Sequence, residues 1–230
     1  MDASDVGTLR VMTYNLRGLR GDVRALVDVV RAARPDVLAV QEPPRGWRGR
    51  WLLRRFASRT GLRVVVGGRG ARTTALLVVP HRAVRGASAV RLPLTPGLTR
   101  RGAATALVDG VRVVVVHLGL RAEERARHVD LVRRRLLHGG DGPLVVAGDL
   151  NERPGGPSWG AFGAGGLLDA ASVVGVDTPT YPADVPRLRI DVVLADARLA
   201  VLGARVPDDA GAGVASDHRP LVVDLRLPVP

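Results

Sequence analysis

The sequence sets metal-binding and proton-carrying side chains at the ends of apolar runs: Asn15 in MTYNLRG, Glu42 in VQEP, His117 in VVHLGL and Asp149 with Asn151 in GDLN. Asp191 in RIDVVL and Asp217 with His218 in SDHRP complete the set. Carboxylate and amide oxygens without sulfur form a hard donor set that suits Mg2+ or Mn2+. There is no cysteine, which excludes a zinc-thiolate site, a disulfide framework and a nucleophilic thiol. Taken singly, each residue has a plainer explanation. Asn15 can cap a turn, Asp149 and Asn151 can bond their own backbone, Asp191 can pair with an arginine, and His117 fits a core histidine. His81, His128 and His138 read as surface or helix residues. An EF-hand loop begun at Asp149 is excluded, because Pro154 and Gly160 stand where it needs Gly and Glu.

The elements that must position these residues follow from hydrophobic periodicity. LRVMTYNL at 9–16 alternates as a strand, and Val23, Leu26, Val27 and Val30 then recur at helical spacing, with Asp22 as N-cap and Pro35 as stop. DVLAVQE at 36–42 reads as a buried strand, and RWLLRRFASRTG as a short helix closed by Gly61, with Trp51 packing in the core beside Leu52 and Phe56. Strands are expected at 62–66 and 73–79, and Asp109-Gly110 joins two further strands in a tight hairpin. A basic helix over roughly 121–138 leads into GPLVVAGDLN, a second strand-helix-strand unit ending on an acid. A short helix near SWGAFG and strands within RLRIDVVLAD and HRPLVVDLRL close the chain. Interleaved parallel and antiparallel strands imply a layered α/β sandwich with polar residues collected at strand ends.

As an ordered set, TYN, QE, HLG, GDLN, RIDVVL and SDHRP resemble the motifs of the endonuclease/exonuclease/phosphatase superfamily, over about Thr8 to Leu225. The resemblance implies a DNase I-like, four-layer α/β sandwich of two packed mixed β-sheets flanked by helices, in one domain spanning 1–230. It implies that Glu42, Asn15 and Asp217 hold the metal, with one or two ions left open. Asp149 would orient or deprotonate the attacking water and Asn151 fix that water or a phosphate oxygen. Asp191 would pair with His218 for general acid-base work, and His117 would donate to a non-bridging oxygen. Two features depart from the pattern: two prolines follow Glu42, and no acidic partner for His117 is identifiable.

Every one of the 34 basic residues is arginine, and the formal net charge is +12. Such an excess points to a polyanionic partner. Arg100 and Arg101 are candidate substrate contacts, and Arg133–Arg135 form a further basic run. The preferred expectation is hydrolysis of nucleic acid phosphodiesters with little sequence specificity. The alternatives are small phosphoesters, phosphoinositides or phospholipid head groups, and a non-catalytic binding module of the same fold. The polar, acidic start of the chain and the lack of a ~20-residue apolar run fit a cytoplasmic protein without membrane insertion. No stable protein partner is inferred.

Overall fold

The computed structural model describes residues 7–137, 142–208 and 211–228. The twelve strands are β1 (Thr8–Asn15), β2 (Val37–Gln41), β3 (Arg63–Val66), β4 (Thr74–Val78), β5 (Val84–Arg91), β6 (Gly102–Val108), β7 (Val111–His117), β8 (Leu144–Asp149), β9 (Leu167–Asp169), β10 (Asp191–Asp196), β11 (Ala200–Arg205) and β12 (Leu221–Arg226). They form two six-stranded sheets, ordered β11-β12-β1-β2-β4-β3 and β5-β6-β7-β8-β10-β9. Each sheet holds one parallel pair, β1 with β2 and β7 with β8, and all its other pairs are antiparallel.

The parallel pairs are made by helical crossovers. Helix α1 (Val23–Ala33) joins β1 to β2, and α3 (Ala122–Val132) joins β7 to β8. Asp22 caps α1 as expected, its carboxylate accepting from the N–H groups of Arg24 and Ala25. The Asp109-Gly110 hairpin is present, with both residues at positive φ, which is the geometry a two-residue turn needs to follow strand twist.

The strands alternate between two cores. In β1, β2, β7 and β8 the odd-numbered Leu9, Val11, Val37, Ala39, Val113, Val115, Val145 and Ala147 fill the space between the sheets. Even-numbered Met12, Tyr14, Leu38 and Val40 pack under α1, α2 (Gly49–Arg59) and the short helix Ala212–Ala215. Val114, Val116 and Val146 pack under α3 and α4 (Pro157–Gly163). Burial on both faces explains why these strands are continuous apolar runs, and two sheets with helices outside give the four layers.

Several expectations need correction. Trp51 is 58% exposed, because α2 turns Leu53, Phe56 and Ala57 inward and leaves Trp51 on its outer face beside Arg55. His128 is fully buried, its Nε2 3.1 Å from the Pro93 carbonyl oxygen and 3.8 Å from Glu124. The expected basic helix is α-helical only to Val132 and continues as a wider π turn over Arg133–Leu137, while His138 lies outside the described residues. Strands β5, β9 and β11 carried no clear alternation of apolar residues and are found at the sheet edges.

Candidate active site

The register that builds the inter-sheet core also builds the site. Across one sheet His117 pairs with Asp149 and Asp149 with Asp191, so three polar side chains extend one apolar row at the end of β7, β8 and the start of β10. Across the other sheet Asn15 pairs with Gln41 and Gln41 with Thr74. Directly paired residues point to the same face. Both rows therefore meet at one rim of the sandwich, and the loops add Glu42, Arg101, Asp217 and His218.

Local backbone features hold this rim. Gly148 lies at φ 152°, where a Cβ would collide with the Val116 carbonyl oxygen, so only glycine lets β8 sit this close to β7 immediately before Asp149. Glu42 and Asn151 both take positive φ, which turns the chain sharply just after β2 and β8. Asn151 donates its backbone N–H to Asp149 Oδ1 at 2.7 Å and its side-chain amide to the Leu118 carbonyl at 2.9 Å. Asn15 accepts from Arg17 N–H at 2.9 Å, while its carbonyl accepts from Ser216 Oγ at 2.6 Å, which pins the loop carrying Asp217 and His218 to the end of β1.

His218 Nδ1 lies 2.8 Å from Asp191 Oδ2, the pairing expected from sequence. Tyr181 packs against the ring with centroids 4.8 Å apart. Burial would lower the pKa of His218, but Asp191, through charge and hydrogen bond, then Asp149 and Asp217, pushes it up to about 9. The ring is thus a cation at neutral pH. Asp149 is pushed up to about 7, by burial first and then by Asp191, with His218, the Asn151 N–H and Arg101 opposing. Both groups are displaced upward, which leaves a charged histidine able to give a proton beside a carboxylate basic enough to take one.

His117 is buried and held well below 6.5, by burial and then by Arg101 and His218. Its Nε2 faces Asp149 Oδ2 at 3.5 Å and receives a close contact from Arg101 Nη1. The donor that faces the cleft beside this histidine is therefore the Arg101 guanidinium. Among the described residues no acidic side chain meets Nδ1, and Thr73 contributes only its main chain to favouring a proton on the ring. Arg101 reaches this position because Gly102 lies against the Gly70–Ala71 backbone with no room for a Cβ. Arg100 is half-buried and does not line the cleft that contains Glu42 and Arg101.

That cleft, about 350 Å³, is lined by Glu42, Arg17, Arg20, Arg45 and Arg101, with Pro43 and Pro44 as part of its wall. Arg17 Nε stands 3.5 Å from Asp217 Oδ2. Arg17, Arg20, Arg45 and Tyr181 were not singled out by sequence reasoning. Only Arg17 left a signal, being two residues beyond Asn15 in the same turn.

The donors fit a hard divalent cation. Asp149 and Asp191 lie in a cluster with His218 whose polar atoms are within 4.8 Å of one another, and Asp191 Oδ1 is a buried oxygen without a hydrogen-bond partner, while the charged His218 ring has no lone pair for a metal. Burial first, and then the neighbouring charge of Asp191, pushes Asp149 up to about 7, and a cation bound there would relieve both. This trio differs from the expected ligands Asn15, Glu42 and Asp217, which come from the opposite sheet and the adjoining loop.

The fold recurs in solved structures. The protein resembles an endonuclease/exonuclease/phosphatase from Beutenbergia cavernae DSM 12333, with 24% identity, a TM-score of 0.73 and coverage of 96% of this chain and 72% of the other. A mannosyl-6-phosphatase from Bacteroides thetaiotaomicron VPI-5482 matches at 19% identity and TM-score 0.76, covering 94% and 99%. An AP endonuclease from Archaeoglobus fulgidus matches at 18% identity and TM-score 0.73, covering 94% and 98%. No curated protein matches the sequence. With the model of the Endonuclease/Exonuclease/phosphatase family matching residues 12–218, from β1 to His218 itself, the chain belongs to that family of phosphoesterases.

Proposed function

We propose that the protein hydrolyses phosphodiester bonds in nucleic acid, with a divalent cation, Mg2+ or Mn2+, and little dependence on base sequence. The observation that carries this reading is the cleft itself, where Arg17, Arg20, Arg45 and Arg101 surround Glu42. A polyanion entering it meets guanidinium groups whose planar forks match phosphate oxygens. The net charge of +12 favours the same partner through long-range attraction. Solved structures of this fold include both a phosphatase and an AP endonuclease, so the fold does not choose the substrate and the surface chemistry must.

Glu42, Asn15 and Asp217 would hold the cation, which would neutralise phosphate oxygens and leaving-group charge. The chain's own residues handle the protons. Water attacks phosphorus and gives a proton to the Asp149 carboxylate, which the Asn151 N–H keeps aimed. The bond from phosphorus to the leaving oxygen breaks, and that oxygen takes a proton from His218, which Asp191 keeps charged and oriented. Arg101, half-buried beside His117 and lining the cleft, donates to the phosphate oxygens as their charge grows.

The test is nicking of supercoiled plasmid by purified protein in Mg2+, with EDTA and an identically purified His218→Ala variant as controls. Nicking confined to the wild type with metal is the expected result. A folded wild type that leaves plasmid intact moves the substrate to small phosphoesters or lipid head groups. Equal nicking by His218→Ala overturns the assigned role of the histidine.

A further inference from the structure

Beside the catalytic cleft lies a second, larger cavity of about 490 Å³, lined by Arg45, Arg50, Arg54, Arg69 and Arg72 and by no acidic residue. The two cavities share Pro43, Pro44 and Arg45. The two prolines after Glu42, a departure from the family pattern, are thus the partition between them. Both are buried, and Gly49 has no room for a Cβ against the Pro44 carbonyl, which packs the turn onto the start of α2.

None of the five arginines has an ion pair or side-chain hydrogen bond among the described residues. Arg72 Nε is buried without a partner, on a residue held at φ 56°. Helix α2 begins at the cavity wall with no side-chain cap, leaving backbone N–H groups there for an acceptor. Five like charges gathered without counter-charge repel one another, and the arrangement is relieved by an anion with several oxygens. Guanidinium forks select phosphate geometry.

Resting on the phosphoesterase reading, we propose that this cavity is a second phosphate subsite, binding a phosphate of the substrate remote from the scissile ester. It fixes the substrate relative to the catalytic residues through its backbone charges alone, without reading a base. A phosphate-rich substrate thereby gains affinity and positioning that a simple diester cannot.

The test uses metal-free protein in EDTA, so that no turnover is needed. Calorimetric titrations with hexathymidylate and with inorganic tripolyphosphate are compared for the wild type, an Arg50→Ala, Arg69→Ala double variant, and Arg134→Ala on the far helix as control. Both altered cavity residues are exposed, so the fold is expected to survive, and circular dichroism checks it. The double variant should bind about tenfold more weakly or worse, and for hexathymidylate its plot of log affinity against log salt should flatten by about 1.4, for two lost phosphate contacts. Arg134→Ala should bind as wild type. Tighter binding of hexathymidylate assigns the phosphate to a nucleic acid backbone, and tighter binding of tripolyphosphate assigns it to a small polyphosphate; either supports the subsite. No saturable binding by the wild type, or wild-type affinity in the double variant, overturns it. With metal restored, the double variant should raise KM for the oligonucleotide and leave turnover of bis(p-nitrophenyl) phosphate unchanged; equal losses on both substrates overturn it as well. A wild type inactive on every phosphodiester refutes the proposed function, whereas the metal-free titrations still decide the subsite.

Discussion

Replacing Asp191 with Asn preserves side-chain size and removes the charge that meets His218 Nδ1 at 2.8 Å. In the wild type the histidine is pushed up to about 9 from an ordinary 6.5, although burial acts the other way. That preference for the charged ring is on the order of 3 kcal/mol at 1.36 kcal/mol per tenfold. Without Asp191 the two largest upward contributions are lost while burial still acts downward, and the His218 pKa should fall well below its wild-type value despite Asp149 and Asp217. The neutral ring is then a poor proton donor above pH 7, and turnover should drop about 10²-fold to 10⁴-fold. The assays are a histidine NMR titration in EDTA, with the resonance assigned through His218→Ala, and steady-state turnover against pH. Stability gives an independent check. A folded-state pKa raised above the unfolded value contributes stability that is complete below about 6.5 and lost as pH rises through about 9. The wild type should therefore lose Tm between pH 7 and 10 by an increment that Asp191→Asn lacks. A ring still titrating near 9 in the variant, or turnover within about threefold of wild type, refutes the coupling.

Asp149→Asn should abolish turnover yet raise Tm at pH 8 in EDTA. An acid whose folded pKa is raised to about 7 destabilises the fold as pH rises from about 4 through 7, so the Tm gain should vanish at pH 4; a variant less stable at pH 8 contradicts the buried-anion argument. Arg101→Ala should let the His117 pKa rise, since Arg101 is the strongest cation holding it down after burial, and should flatten the salt dependence of single-strand affinity by about 0.7. An unmoved histidine titration removes Arg101 from the site. Gly148→Ala should cost about 3 kcal/mol or more, because its methyl meets the Val116 carbonyl inside the parallel β7–β8 pair. A thermal melt matching wild type would show that the strands separate more easily than this packing implies.

Much of the site was legible because strand alternation is a one-dimensional code. The odd-numbered positions that fill the inter-sheet core run on to Asn15, His117 and Asp149, so apolar runs that end in polar residues mark the rim in the sequence itself. The resemblance to the family's motifs likewise anticipated the Asp191–His218 pair. Residues outside regular elements were less legible. Arg17, Arg20 and Arg45 look like any other surface arginine in a chain whose basic residues are all arginine, and Trp51 was misplaced and the burial of His128 on its helix not anticipated, because helical spacing alone leaves open which flank of a face meets the core.

The sequence by itself determined the donor types, the strand-helix-strand units and the turns that end them, since each depends on neighbours within a few residues. Only the tertiary structure decided which rows face each other across the sandwich. That packing brings His117, Asp149 and Asp191 from three strands into one rung, lodges Arg101 against His117, and gathers arginines from residues 45 to 72 around one cavity. Charge in a site depends on distance through space and on burial, and neither is written in the order of the residues.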